Sequence, residues 1–156
     1  MSDNLEDLYI KVARKAQEGW DKDTQAVDVF NKHILCAAEM SCPSRVMELD
    51  KEERAATAKG LLSHLMVAMY AIKLLPPAED DLKEMAEAMN INVANDIVLC
   101  SALICRGACD ALLFFHEEDQ QVSSDLVRSI GEALSGVYLM AHLLDVDLLS
   151  TSPSIQ

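Results

Sequence analysis

IVLCSALICRGACDALLFF, residues 97–115, is apolar on nearly every side when wound at 3.6 residues per turn, and its only charges are Arg106 and Asp110. Nothing else in the chain is as apolar for as long. The stretch therefore predicts the central helix of a bundle, from about residue 93 to 116, with the other segments arranged around it. A membrane span needs about 20 consecutive apolar residues. Arg106 and Asp110 would lie near the middle of such a span, where a charge costs roughly 2.5–3.5 kcal/mol on insertion scales. The flanks, Asn92, Asn95 and Asp96 on one side and Glu117, Glu118 and Asp119 on the other, carry no Lys or Arg. The expectation is a bundle helix, with no membrane partner.

Working outward, the composition agrees with helices. Hydrophobic residues make up 51% of the 156, but aromatics only 4%. The interior must then be filled by Ala, Leu, Met and Cys, whereas strands favour β-branched and aromatic residues. The predicted fold class is all-α: a compact bundle of five or six helices around a central apolar helix, in one domain over residues 1–149 with a frayed tail at 150–156. The net charge of −13 disfavours direct contact with nucleic acid, which depends on Lys and Arg, and equally disfavours anionic membranes. Residues 84–156 carry 11 acidic side chains against two basic ones, Arg106 and Arg128. Such an acidic face suits a basic protein partner, or a mimic of nucleic acid that binds one. Five cysteines, Cys36, Cys42, Cys100, Cys105 and Cys109, form an odd set without an export signal at the amino end, which predicts reduced thiols in the cytoplasm.

The remaining helices are read from spacing and stop signals. Leu5, Leu8, Val12 and Ala16 predict a helix over about 4–18 capped by Asp3, and Trp20 should pack where it turns into the next. Val27, Phe30, Ile34, Ala37 and Ala38 predict a second over 24–40, capped by Asp23 or Thr24, and a short turn over 44–49 follows Pro43. Asp50 and Glu53 form an Asp variant of the capping box. They open a third helix, which Pro76 and Pro77 should stop at about Leu75. A short acidic helix spans about 77–89, Asn90-Ile91-Asn92 turns the chain, and a last helix runs from Ser123 or Ser124 to about Leu144. Gly131 and Gly136 weaken that last helix by up to about 1 kcal/mol each. Such a cost is tolerable where another backbone approaches closely.

The search for chemistry turns up little. His33, His64, His116 and His142 share no metal-ligand spacing within a helix, and HExxH, CxxC, phosphate-binding Gly loops and G-x-S-x-G are all missing. Leu143-Leu144-Asp145-Val146-Asp147 fits a clathrin-box pattern, but Leu143 and Leu144 also fall on the apolar stripe of the last helix. Carboxylates are the one route to catalysis. Asp80, Asp81, Glu84 and Glu87 lead into a helix bearing Asn92 and Asp96, which loosely resembles the paired acidic motifs of the all-helical nucleotide pyrophosphohydrolases, though neither motif is intact. The resemblance implies Mg²⁺ held by Asp81, Glu84 and Asp96, with the ion activating water against a pyrophosphate.

The reading preferred from the residues alone is an interaction protein: a small acidic adaptor, inhibitor or regulator, without a cofactor. The helix opened by Asp50 is nearly as apolar as the central one, yet only one helix of a compact bundle can be central. The second apolar helix therefore predicts a face for a homo-oligomer or a partner helix at Leu65, Met69 and Ile72, with Arg106 and Asp110 as a paired anchor. A line of residues along the central helix, Asn92, Asp96, Leu99, Leu103, Arg106, Asp110, Leu113 and Glu117, is expected to be the strip of that helix which reaches water.

Overall fold

A computed structural model describes residues 5–88 and 96–149, and over that range the chain is all-α. The helices are α1 (Leu5–Gln17), α2 (Ala26–Met40), α3 (Pro43–Met47), α4 (Lys51–Ala71), α5 (Glu79–Ala88), α6 (Ile97–Glu117) and α7 (Ser124–Leu143). They pack as a compact bundle in which α6 lies against α7, α2 and α3, while α4 lies against α2, α1 and α7. The sites proposed for Asp3, for Asn90–Asn92 and for the tail after Leu149 fall outside the described residues.

Local chemistry sets most of the helix starts. Asp50 accepts from the Glu53 amide at 2.8 Å while Glu53 accepts from the Asp50 amide at 3.0 Å, so two of the four unpaired amides at the α4 start are satisfied reciprocally. Ser123 accepts from the Leu126 amide at 3.2 Å and caps α7. Thr24 does not cap α2: its hydroxyl accepts from the Asp21 amide at 3.0 Å in the preceding turn, and α2 begins at Ala26 with no side-chain cap.

The end of α4 comes at Ala71, four residues before the expected stop. Lys73 adopts φ 61°, which lets the Leu74 amide donate back to the Met69 carbonyl at 2.8 Å. This left-handed closure satisfies a terminal carbonyl and folds Leu74 onto the core before the prolines are reached. The Tyr9 hydroxyl then donates to the Leu74 carbonyl at 2.9 Å and ties α1 to the turn. Trp20 packs on Tyr70 near the end of α4, their ring centroids 5.8 Å apart, and closes the same corner.

The tightest packing joins α6 to α7. A Cβ placed on Gly107 would lie 2.8 Å from the Ser129 carbonyl oxygen and 2.9 Å from the Ala133 amide nitrogen. One added to Gly136 would lie 2.7 Å from Cγ1 of Ile104. The two glycines let the antiparallel helices approach backbone to backbone, which fits the close approach expected at Gly136. Gly131 instead faces the flexible end of Met85, at 3.0 Å. Around this seam Cys100, Ile104, Ala108, Ala111, Ile130 and Val137 are buried.

Candidate interaction surface

Because Gly107, Ala108 and Ala111 turn inward, the opposite side of α6 faces out. Leu99 is 41% and Leu113 54% exposed, Leu103 is half-buried, and Glu117 is exposed. Between the leucines Arg106 and Asp110 form an ion pair at 3.8 Å, with side-chain exposures of 76% and 40%. The line expected to reach water does so wherever it is described, from Asp96 to Glu117. Its positions 99, 103, 106, 110, 113 and 117 are spaced alternately four and three residues apart. That alternation is the seam of a coiled coil.

One flank of the seam is fixed by α2. His116 and Asn31 share a hydrogen bond at 2.8 Å, the Cys105 thiol donates to the Ala38 carbonyl at 3.4 Å, and Phe30 stacks on Phe115. On α2 Leu35 lies between Asn31 and Ala38 and is itself exposed, extending the apolar surface sideways. Among the described residues α6 is also the one helix long and apolar enough to cross a membrane, with a mean hydropathy of 1.9.

The association face expected on the Asp50-capped helix lies elsewhere. Leu65 is 0% and Met69 1% exposed, and Ile72 is half-buried at the end of α4. The helix is apolar nearly all round because α1, α2 and α7 cover it on several sides. The expectation of an open face at Leu65 and Met69 is therefore corrected, and the outward apolar surface moves to α6, where Arg106 and Asp110 lie.

The carboxylates are not brought together. Asp81 and Glu84 are exposed on α5, which packs on α7, whereas the Asp96 carboxylate accepts from the Val98 amide at 2.7 Å and caps α6. Among the described residues no three His, Cys, Asp or Glu side chains converge as a metal site would require. The Mg²⁺ set Asp81, Glu84 and Asp96 thus finds no geometry here; Asn92 lies outside the described residues.

Two polar features escaped the sequence reading. His33 on α2 and His64 on α4 are both buried, with their Nδ1 atoms 2.8 Å apart, so one ring donates and the other accepts, and the accepting Nδ1 carries no proton. Burial pulls the His33 basicity down to about 4, helped by His64 and Lys32, and burial likewise lowers His64. His64 also borders a cavity of about 690 Å³ beside Cys36, Arg45 and Gly60, and its buried Nε2 has no hydrogen-bond partner among the described residues. The available signal was positional: each histidine falls on the apolar face of its helix. A second cavity, about 680 Å³, is lined by Tyr138 and Glu79, and the Tyr138 hydroxyl donates to Glu79 at 2.7 Å. Desolvation and the neighbouring carboxylate push that phenol up.

The clathrin-box segment is folded rather than free. Leu144 is buried, its amide donates to the Met140 carbonyl, and the Val146 amide turns back to the Ala141 carbonyl at 2.8 Å. Compared with protein-family models, with curated proteins and with solved structures, the chain matches none.

Proposed function

We propose that the chain is a small acidic protein-interaction module, an adaptor, inhibitor or regulator, whose working surface is the outer face of α6. One observation carries the reading. The most apolar helix of the chain turns small residues inward and leaves Leu99, Leu113 and a weak ion pair facing outward. Leucines at coiled-coil spacing on an open face are suited to another helix. The inward glycine contacts of α6 and its midpoint charges favour a protein partner over a lipid one. The dispersed carboxylates of α5 and α6 offer no comparable support for a hydrolase.

The test is Leu113→Glu, compared with the natural chain by light scattering with and without Mg²⁺, and by flotation with phosphatidylcholine vesicles. Loss of association in the variant, at unchanged circular dichroism, supports the reading. An oligomer of the natural chain that persists undiminished in the variant overturns it, as does flotation of the natural chain with the vesicles. A response to Mg²⁺ alone would favour the carboxylates instead.

A further inference from the structure

We propose that the partner on this face is a second copy of the chain, docked antiparallel about a two-fold axis beside residue 108. This rests on the reading of α6 as an association face and names its occupant. The six outward positions, Leu99, Leu103, Arg106, Asp110, Leu113 and Glu117, have the same spacing read in either direction. Laid antiparallel on a copy of itself, the seam sets Leu103 level with the partner's Leu113 and Arg106 level with the partner's Asp110. The two-fold axis repeats both pairings, so the interface is isologous and closes as a dimer.

Charge and the number of paired positions together select this arrangement over its competitors. A parallel pairing in register would set Arg106 against the partner's Arg106 and Asp110 against the partner's Asp110. An antiparallel pairing slipped by a heptad brings only four of the six positions level. In one direction Arg106 and Asp110 face the partner's Leu103 and Leu99, and in the other Asp110 faces the partner's Leu113 while Arg106 faces the partner's Glu117. Polar residues at seam positions commonly fix register and orientation in this way. The intramolecular pair holds neither side chain strongly. Its single contact is 3.8 Å long and well exposed, the kind of surface ion pair that contributes little. Each charge is therefore available to a second partner, and docking gathers two arginines and two aspartates in alternation at the axis. At the seam's ends Glu117 comes level with the partner's Leu99, where its methylene stem covers the leucine and its carboxylate stays in water. Leu35 supplies an apolar margin beside the seam.

The charge pattern also supplies the test. Arg106→Asp gives a chain with two aspartates at the axis, and Asp110→Arg gives one with two arginines. Each variant alone sets like charges against each other, a juxtaposition that costs several kcal/mol across an interface. Each should dimerise with a Kd raised at least about tenfold. Mixed in equal amounts, the two should form a heterodimer, resolved by native mass spectrometry. The chain carrying both reversals should homodimerise like the natural one. Both positions are exposed, and circular dichroism checks that the variants fold.

Single variants that dimerise as well as the natural chain, or a mixture that stays monomeric, overturn the inference. So does a natural chain that remains monomeric up to millimolar concentration, an outcome that leaves the face to a different protein. If Leu113→Glu dissociates the dimer while the charge variants pair indifferently, the face stands and the antiparallel register falls. If Leu113→Glu leaves the dimer intact, the face itself falls.

Discussion

The α-carbon of Gly107 on α6 lies so close to Ala133 on α7 that a methyl group there would come within 2.9 Å of the Ala133 amide nitrogen. Backbone cannot swing aside as a side chain can. Gly107→Ala is therefore expected to destabilise the fold by about 1–3 kcal/mol, read from urea unfolding. Gly131→Ala is the contrast, since its methyl would meet only the movable end of Met85. There the gain in helix propensity, up to about 1 kcal/mol, should leave stability unchanged or raised. Equal losses from both substitutions would refute the close crossing.

The capping box at Asp50 predicts a smaller and more local effect. Asp50→Ala leaves the Glu53 amide without its acceptor and should cost about 1 kcal/mol. Asp50→Ser, which keeps an acceptor, should recover most of it. Thermal unfolding of the three chains side by side decides the matter.

Acid should act through the histidine pair. A folded His33 that resists protonation until about pH 4, against an ordinary value of 6.5, leaves the unfolded chain binding more protons between those limits. The pair's contribution is thus full above about pH 6.5 and is lost as pH falls towards 4. The slope for one such proton approaches about 1.4 kcal/mol per pH unit. Carboxylates titrate in part of the same window, so the comparison is with His33→Gln. Denaturant titrations from pH 7 to 4 should show a shallower fall for the variant; parallel curves would rule the pair out as a source of acid sensitivity.

Thiol reactivity should be graded along the chain. The Cys42 thiol sits 3.3 Å from the Ser44 hydroxyl, and hydrogen bonds from Ser44 hold it below its ordinary range. Burial pushes Cys100 up to about 11 and keeps reagent away. Brief alkylation with iodoacetamide at neutral pH, mapped by peptide mass, should modify Cys42 well before Cys100. The reverse order would contradict the placement of both residues.

Much of the fold was legible because its signals are local. The caps at Asp50 and Ser123, the periodic stripes and the scarcity of aromatics each act within a few residues. The early end of α4 was not legible: Pro76 and Pro77 announce a stop, whereas Lys73 reverses the chain first so that Leu74 can return to the core. Thr24 was misread as a cap because its hydroxyl is taken by Asp21, in the turn before the helix.

The surface was half legible for a different reason. Hydrophobicity says how apolar a helix is, not which neighbours cover it. Two helices were apolar nearly all round, and Leu65 and Met69 looked as available as Leu99 and Leu113. Gly107 separates the cases, since it brings α7 close along one side of α6 and leaves the other side open. Its significance depends on Ser129 and Ala133, more than twenty residues away. The histidine pair was hidden in the same way, as two unremarkable core positions 31 residues apart that meet only in the bundle.

The two sides of α6 also divide what inherited change can do. Substitution at Leu99, Arg106 or Leu113 alters groups that the bundle does not enclose, and typical surface changes move stability by no more than about 0.5 kcal/mol. The outer side can drift towards a new associate, or towards solitude, in a lineage that still folds. The inner side around Gly107 and Gly136 has no such freedom. Descendants of this chain should therefore differ first in the company they keep.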